Sequence, residues 1–255
     1  MRVDQRLVEL GLAASRSQAQ RLIAAGVRWQ LPHGPWQTVR RNSDELPAGA
    51  CVELLDAAEA RYVSRGGLKL EGALQATGLS VQGRCCLDVG QSTGGFTDCL
   101  LQHGASRVVG LDVGHGQLHP RLRSDERVVC IEGLNARELQ AADPRVPGSS
   151  AGFDCMVGDV SFISLTLIWP ALLPLLRPDG HLLMLVKPQF ELQPGQVGKG
   201  GIVRDQALYV RVRERIEHSL QSLGFKPLHW LDSPIPGGDG NHEFFVHAVR
   251  AAATP

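Results

Sequence analysis

Apolar positions change their spacing along the chain, and the change divides it. Over residues 3–10, Val3, Leu7 and Leu10 follow helical intervals, and Gly11 ends the run. Ser15 opens a second helical stretch over 16–25, with Gln18 three residues on as in a capping box. Ala19, Leu22 and Ile23 supply its apolar face, Gly26 stops it, and short strands are predicted near 27–30, 37–40 and 50–54. A connector is read over residues 56–64, followed by a helix from Arg65 to about Ala76. From residue 84 short apolar runs alternate with helical stretches. Strands are predicted at 84–89, 107–111, 127–131, 153–158, 180–186, 225–231 and 243–249, the pattern of a parallel α/β sheet. Asp205 begins a helix whose Leu208, Val212, Ile216 and Leu220 share one face, and Gly224 closes it. Only a loop separates the last two strands, so the final one runs antiparallel beside its predecessor or slots between others.

The stretch Leu87-Asp88-Val89-Gly90-Gln91-Ser92-Thr93-Gly94-Gly95-Phe96 reads as a strand end, a glycine turn and a helix start. Such a turn at the carboxyl end of a first strand is a ligand site in open α/β sheets. A dinucleotide fold would show Gly-x-Gly-x-x-Gly and hold a pyrophosphate. Here Ser92 takes the middle position, and Asp88 stands where a carboxylate would repel a pyrophosphate. An acid there suits a ligand carrying an ammonium and a sulfonium, so S-adenosylmethionine is the expected cofactor. Asp112 ends the next strand, placed to accept from ribose hydroxyls.

Composition adds four constraints. The 255 residues carry a formal net charge of zero, so overall charge selects no partner. Six cysteines form no C-x-x-C pair, which predicts reduced thiols in a cytoplasmic protein and no metal site. Residues 1–15 have no continuous apolar run, and the greasiest segment, 165–176, is interrupted by Pro170 and Pro174; neither a signal peptide nor a membrane span is predicted. Of 26 basic residues only Lys69, Lys187, Lys199 and Lys226 are lysine. Codon bias accounts for the overall excess of arginine, and a lysine kept against that bias is a candidate for a place where arginine, which cannot give up its proton, will not serve.

Three strand ends in the second part carry polar residues: Asp159, Lys187 and Glu243. A lysine closing an apolar strand is costly unless its head reaches water, a carboxylate or a substrate. With the last strand antiparallel, all three lie at the edge where such sheets bind ligands. Over residues 1–41, Arg2, Arg6, Arg16, Arg21, Arg28, Arg40 and Arg41 stand against only Asp4 and Glu9. That local excess predicts an RNA-facing patch. Residues 3–13 and 15–26 resemble the S-four domain, a small RNA-binding module of rRNA-modifying enzymes. The segment Trp29-Gln30-Leu31-Pro32-His33-Gly34-Pro35-Trp36 departs from that module's short turn.

From Val3 to Val249 the chain resembles the TlyA family, haemolysin-A-like ribosomal RNA 2′-O-methyltransferases that join an S-four domain to an FtsJ-type methyltransferase domain. The matching motifs include Ser64-Arg65-Gly66-Gly67-x-Lys69-Leu70, Ser92-Thr93-Gly94-Gly95-Phe96-Thr97-Asp98 and Asp112-Val113-Gly114-x-Gly116-Gln117-Leu118. Asp159-Val160-Ser161-Phe162-Ile163-Ser164-Leu165, Val186-Lys187-Pro188-Gln189-Phe190-Glu191, Gly198 to Asp205 and Gly240-Asn241-x-Glu243 complete the series. Gln91 replaces a small residue usual there, and Gly133-Leu134 replaces an Arg-Thr pair before Asn135.

The resemblance implies a fold: a Rossmann-like α/β methyltransferase sheet over residues 65–255, a small α+β RNA-binding domain over 1–58, and a linker over 59–64. It implies a catalytic tetrad of Lys69, Asp159, Lys187 and Glu243. Lys187 would be the base, Asp159 would orient it, and Lys69 and Glu243 would position the ribose and Lys187. It implies a cofactor site of Asp88, Gly90, Ser92, Gly94, Gly95, Phe96, Asp112, Val113, Asn135 and Asp159, and RNA contacts from Arg2, Arg6, Arg16, Arg21, Arg28 and Arg65. A free lysine, with pKa about 10.4, is protonated at pH 7; a nearby ammonium and partial burial are what make one a base. The implied substrate is a cytidine ribose of bacterial ribosomal RNA, free or in a ribosomal subunit. The compact chain resembles the branch linked to 23S rather than 16S RNA. A base methyltransferase would want an Asn-Pro-Pro-Tyr-like loop or a Pro-Cys nucleophile, and neither follows Asp159. A membrane-active haemolysin would need an exposed apolar helix or a span. A non-catalytic RNA-binding assembly factor would not require the tetrad.

Overall fold

A computed structural model of the chain describes residues 1–13, 15–55 and 60–251. Residues 56–59, in the predicted connector, lie outside the described residues. The chain divides into two units, Met1–Leu68 and Lys69–Pro255.

In the first unit, α1 (Val3–Glu9) and α2 (Arg16–Ala25) precede β1 (Val27–Gln30), β2 (Gln37–Thr38) and β3 (Cys51–Leu54). The strands form an antiparallel sheet of order β2-β1-β3. Val3, Leu7, Ala19, Leu22 and Val27 are fully buried in its core. Ser15 caps α2 by accepting a bond from Gln18 N at 3.3 Å, and the Gln18 amide donates to Tyr62 O at 3.1 Å. β2 stops before the predicted Arg40. The Asp44 carboxylate takes the Arg40 and Arg41 amides at 2.8 and 3.0 Å, which turns the backbone out of the ladder.

The second region runs α3 (Gly66–Thr77), β4 (Cys85–Val89), α4 (Gly95–Gln102), β5 (Arg107–Leu111), α5 (Pro120–Arg123), β6 (Val128–Ile131) and β7 (Phe153–Gly158). It continues through α6 (Trp169–Leu172), β8 (Leu176–Val186), α7 (Pro188–Glu191), α8 (Gln206–Ser222), β9 (Phe225–Asp232) and β10 (Phe244–Arg250). The sheet order is β6-β5-β4-β7-β8-β10-β9. β4 to β8 pair in parallel, while β10 inserts antiparallel between β8 and β9. Strand order reverses at β4, so the crevice between the carboxyl ends of β4 and β7 is the switch point where such sheets bind ligands.

Strand residues two apart share a face. Leu87, Val89, Met156, Leu182, Met184 and Val246 therefore share the core that Trp169 and the Val212, Ile216 and Leu220 face of α8 cover. Leu208 is only partly buried, because α8 begins at its Asp205 cap, whose carboxylate accepts from Ala207 N at 2.9 Å, with its first turn at the surface. β8 starts at Leu176, earlier than predicted. Arg177-Pro178-Asp179-Gly180 reads as a turn but is an irregularity within the strand, where the register against Phe153 and Cys155 shifts. Among the cysteines, Cys86, Cys99 and Cys155 are buried, whereas Cys51 is exposed on β3; all six are free thiols.

Candidate active site

The turn between β4 and α4 forms a cradle. Gly90, Ser92 and Gly94 have φ of +81°, +48° and +97°. Gly90 is required twice over: it is left-handed, and a Cβ there would stand 2.7 Å from Asp159 O. Ser92 takes a conformation that glycine adopts freely, and its neighbours hold it there. Its amide donates to Asp112 Oδ2 at 2.6 Å and its hydroxyl to Gln117 Oε1 at 3.0 Å. Asp112 Oδ1 accepts from Gly114 N at 2.7 Å. The carboxylate thus ties the two loops that end β4 and β5.

Beside this turn opens a cavity of about 300 Å³, lined by Gly90, Ser92, Asp112, Val113, Asn135 and Asp159 among others. The remaining predicted cofactor residues lie elsewhere. Gly94 leaves room for Leu118, which a Cβ would meet at 2.7 Å. Gly95 begins α4, and Phe96 is buried against Phe245, with ring centroids 6.1 Å apart. Asp88 is fully buried on the α4 side of the strand and does not line the cavity. Alternation along β4 explains this, since Leu87 and Val89 take the opposite face. Asp88 Oδ2 accepts from Thr97 Oγ1 at 2.7 Å, and Thr97 Oγ1 accepts from Gln91 Nε2 at 2.9 Å. Asp88 Oδ1 has no hydrogen-bond partner among the described residues. Burial pushes the Asp88 carboxyl up to about 7, opposed by the Thr97 bond and reinforced by Asp159 and Asp112. Gln91 is accommodated because residue 110 is glycine; a Cβ there would collide with the Gln91 amide.

The four polar residues singled out for chemistry meet in two pairs. Lys69 Nζ, on α3, stands 2.5 Å from Glu243 Oε2, just before β10, and both side chains are almost wholly buried. Lys187 Nζ, just after β8, stands 2.5 Å from Asp159 Oδ1, just after β7, and donates to Ser161 Oγ at 2.8 Å. The two pairs sense one another. Burial pushes the Glu243 carboxyl up; Lys69 and Lys187 pull it down and Asp159 pushes it up. Ser161 and Phe162 also line the cavity. Phe162 is 90% exposed with φ +65°, and its ring lies 5.1 Å from that of Phe190. Neither Ser161 nor Phe162 is among the site residues expected from the sequence, although both lie in the motif that follows Asp159.

In the first unit the predicted RNA-contacting arginines have partners. Arg2 and Arg16 both bind Asp4 at 3.0 Å, and Asp4 is fully buried. The Arg2 hydrogen bond, aided by Arg16 and opposed by burial, holds the Asp4 carboxyl down to about 2. Arg6 pairs with Glu9 at 3.2 Å, and Arg21 donates to Ser17 O and Oγ at 3.3 and 3.1 Å. Arg28 pairs with Glu53 at 2.8 Å and lies 4.6 Å from the Trp36 ring centroid. Arg65 is half-buried. No helix among the described residues is long and apolar enough to cross a membrane.

Comparison with known proteins agrees with this geometry. Residues 62–250 match the family model for FtsJ-like methyltransferases, and residues 1–26 match that of the S4 domain. The chain is 43% identical to the 16S/23S rRNA (cytidine-2′-O)-methyltransferase TlyA of Mycobacterium tuberculosis, over 96% of this chain and 88% of that one. It is 40% identical to hemolysin A of Brachyspira hyodysenteriae, over 98% of this chain and 100% of that one. A solved structure from Streptococcus thermophilus, described as a putative hemolysin, superposes with a TM-score of 0.75, with 39% identity over 100% of this chain and 90% of that one. The chain belongs to the FtsJ-like methyltransferase family, and within it to the TlyA group that carries an S4 domain ahead of the methyltransferase domain.

Proposed function

We propose that the protein transfers a methyl group from S-adenosylmethionine to a ribose 2′-hydroxyl, that of a cytidine, in bacterial ribosomal RNA, with 23S favoured over 16S. The observation that carries this reading is the convergence of Lys69, Asp159, Lys187 and Glu243 at one sheet edge beside the cavity. The relatives named for cytidine-2′-O-methyl transfer to 16S/23S and to 23S rRNA support the substrate class.

The cavity fits the cofactor. Gly90 lets its wall come close, Asp112 and Asn135 offer acceptors for ribose hydroxyls, and Val113, 67% exposed, offers an apolar surface for a purine. When bound, S-adenosylmethionine supplies an electrophilic methyl on a sulfonium. The protein's own part is to make the hydroxyl a nucleophile and to align it. A neutral amine at Lys187 has two N–H bonds and one lone pair. With one N–H bond donated to Ser161 Oγ and the amine beside the Asp159 carboxylate, the lone pair is left for the 2′-hydroxyl proton. Lys69 and Glu243 hold the ribose side of the site. Phe162 offers an open ring face at the cavity edge on which an unstacked base can rest.

Residues 1–58 act as the RNA anchor, 59–64 as the linker and 65–255 as the transfer domain. Arg2 and Arg16 are held in place by Asp4 to meet phosphates, and Arg6, Arg21, Arg28 and Arg65 add to that surface. The substrate is free RNA or RNA within a ribosomal subunit, in the cytoplasm. Mapping 2′-O-methyl groups on ribosomal RNA from cells with and without the protein tests the reading. A cytidine that loses its methyl group in the deletion is expected; identical maps would refute it.

A further inference from the structure

Two loops carry the residues closest to the proposed chemistry: 159–165 after β7 and 187–192 after β8. At the cavity they touch through Lys187 with Asp159 and Ser161, and through Phe162 with Phe190. Behind the cavity a second tie joins them. Glu191 is 3% exposed, and its carboxylate accepts from Ser164 Oγ at 2.5 Å and from Leu165 N at 2.8 Å. Ser164 Oγ is also 2.8 Å from Thr166 Oγ1. Arg215 of α8 donates to Glu191 O at 2.6 Å, anchoring the tie to the longest helix.

We infer that Glu191 is a positioning residue: its carboxyl group clamps the Asp159–Leu165 loop to the Lys187–Leu192 loop and so sets Lys187 against Asp159 and Ser161. The surroundings of Glu191 argue against a purely local role. A buried carboxyl is costly unless its lone pairs are used, and both of its oxygens are spent on one loop, the one that holds Phe162 in a left-handed backbone. Leu165 opens a short 3-10 turn whose amide would otherwise lack a partner, so the clamp fixes where that turn begins. Only two residues separate Ser164 from Ser161, the acceptor of the Lys187 bond. A shift at Ser164 therefore reaches Nζ directly. Asp159 and Lys187 lie at the ends of strands fixed in register by β7–β8 pairing; what the sheet leaves undetermined is the path of the loops beyond it, and that is what Glu191 determines.

The inference rests on Lys187 as the base, and its test separates the two ideas. Because the chain holds only four lysines, protein labelled with 13C at the lysine ε-carbon gives few signals, and Lys187→Arg assigns the one for Lys187. Three variants are compared: Glu191→Ala, Ser164→Ala, which removes one bond and keeps the carboxylate, and Glu191→Gln, whose amide can still accept from Leu165 N and donate to Ser164. The readouts are cofactor affinity by calorimetry, the Lys187 signal at fixed pH, and single-turnover methyl transfer to ribosomal RNA at saturating cofactor. Glu191→Ala and Ser164→Ala are expected to displace the Lys187 signal and slow transfer at least about tenfold while cofactor affinity stays within about threefold, and Glu191→Gln to restore most of the rate. If Glu191→Ala does not fold, Ser164→Ala decides alone. Wild-type transfer and an unmoved Lys187 signal in Ser164→Ala would overturn the inference. A displaced Lys187 signal in protein that does not methylate ribosomal RNA even as wild type would uphold the clamp and remove the functional reading.

Discussion

Lys69 and Glu243 meet at 2.5 Å in the protein interior although 174 positions separate them in the chain. The contact exists because β10 inserts antiparallel beside β8, which brings the residue just ahead of it to the edge where the parallel strands end. A buried ion pair contributes little over an apolar pair, but removing one partner leaves the other stranded. Lys69→Ala is therefore expected to destabilise the protein by about 3 kcal/mol. Adding Glu243→Leu to that variant should return much of the loss. Urea unfolding of the single and double variants checks this; equal destabilisation in both would show that the pair is not coupled.

Lys187→Arg should fold, bind cofactor and fail to transfer methyl. Arginine keeps the charge but cannot accept a proton near neutral pH. Lys226→Arg, exposed on β9, should be silent. In single-turnover methyl transfer, a Lys187→Arg rate within about tenfold of wild type, about 1.4 kcal/mol of barrier, would reduce Lys187 to a positioning charge.

Asp88 gives stability a slope with pH. Its carboxyl is raised from 3.8 to about 7, so the folded state holds a proton that the unfolded chain has lost. The contribution is full below about pH 4 and is lost as pH rises through about 7, a span worth about 4 kcal/mol at most. Asp88→Asn should remove this loss, so the variant gains on wild type steadily between pH 4 and 7. Chemical denaturation across that range is the measurement, and parallel curves would show that Asp88 stays ionised.

His247 acts with the opposite sign. It is buried between His181 and His229, with nitrogen contacts of 3.0 Å on each side, and burial first, then those two rings, lower it from 6.5 to about 4. Its neutral form contributes stability above about pH 6.5 that is lost as pH falls through about 4, up to about 3 kcal/mol. The two slopes offset each other in the wild type over their shared window. His247→Phe should leave the Asp88 slope exposed, with stability falling as pH rises. A His247→Phe profile parallel to wild type would rule out His247 as a titrating group there.

Gly90→Ala should weaken S-adenosylmethionine binding more than Asp112→Asn. The added methyl would meet Asp159 O at 2.7 Å from a left-handed backbone, whereas asparagine keeps one acceptor for the Ser92 or Gly114 amide. Losses of about tenfold or more for Gly90→Ala are expected by calorimetry, since strain and displacement act together. Wild-type affinity in both variants would move the cofactor away from this turn.

Alternation of apolar runs and helical stretches was enough to read the α/β sheet and its strands, because periodicity is local and strands of this kind are buried on both faces. The glycine turn after Leu87, the acid Asp112 and the polar strand ends Asp159 and Lys187 were legible for the same reason: parallel strands put every carboxyl end at one edge. Asp88 shows where local pattern stops. Its place in the motif was plain, but only the strand's facing and the packing of α4 turned it behind the cavity and against Thr97. The early start of β8 at Leu176 was hidden because a Pro-Asp-Gly run reads as a turn unless a neighbouring strand absorbs it as an irregularity. The exposure of Phe162 and the clamp at Glu191 depend on which loops the strand order places side by side. Spacing along the chain determines each element and the end of the strand that carries a side chain. Which charges become partners is decided by strand order and by burial, since an ion pair gains its strength from the loss of water around it.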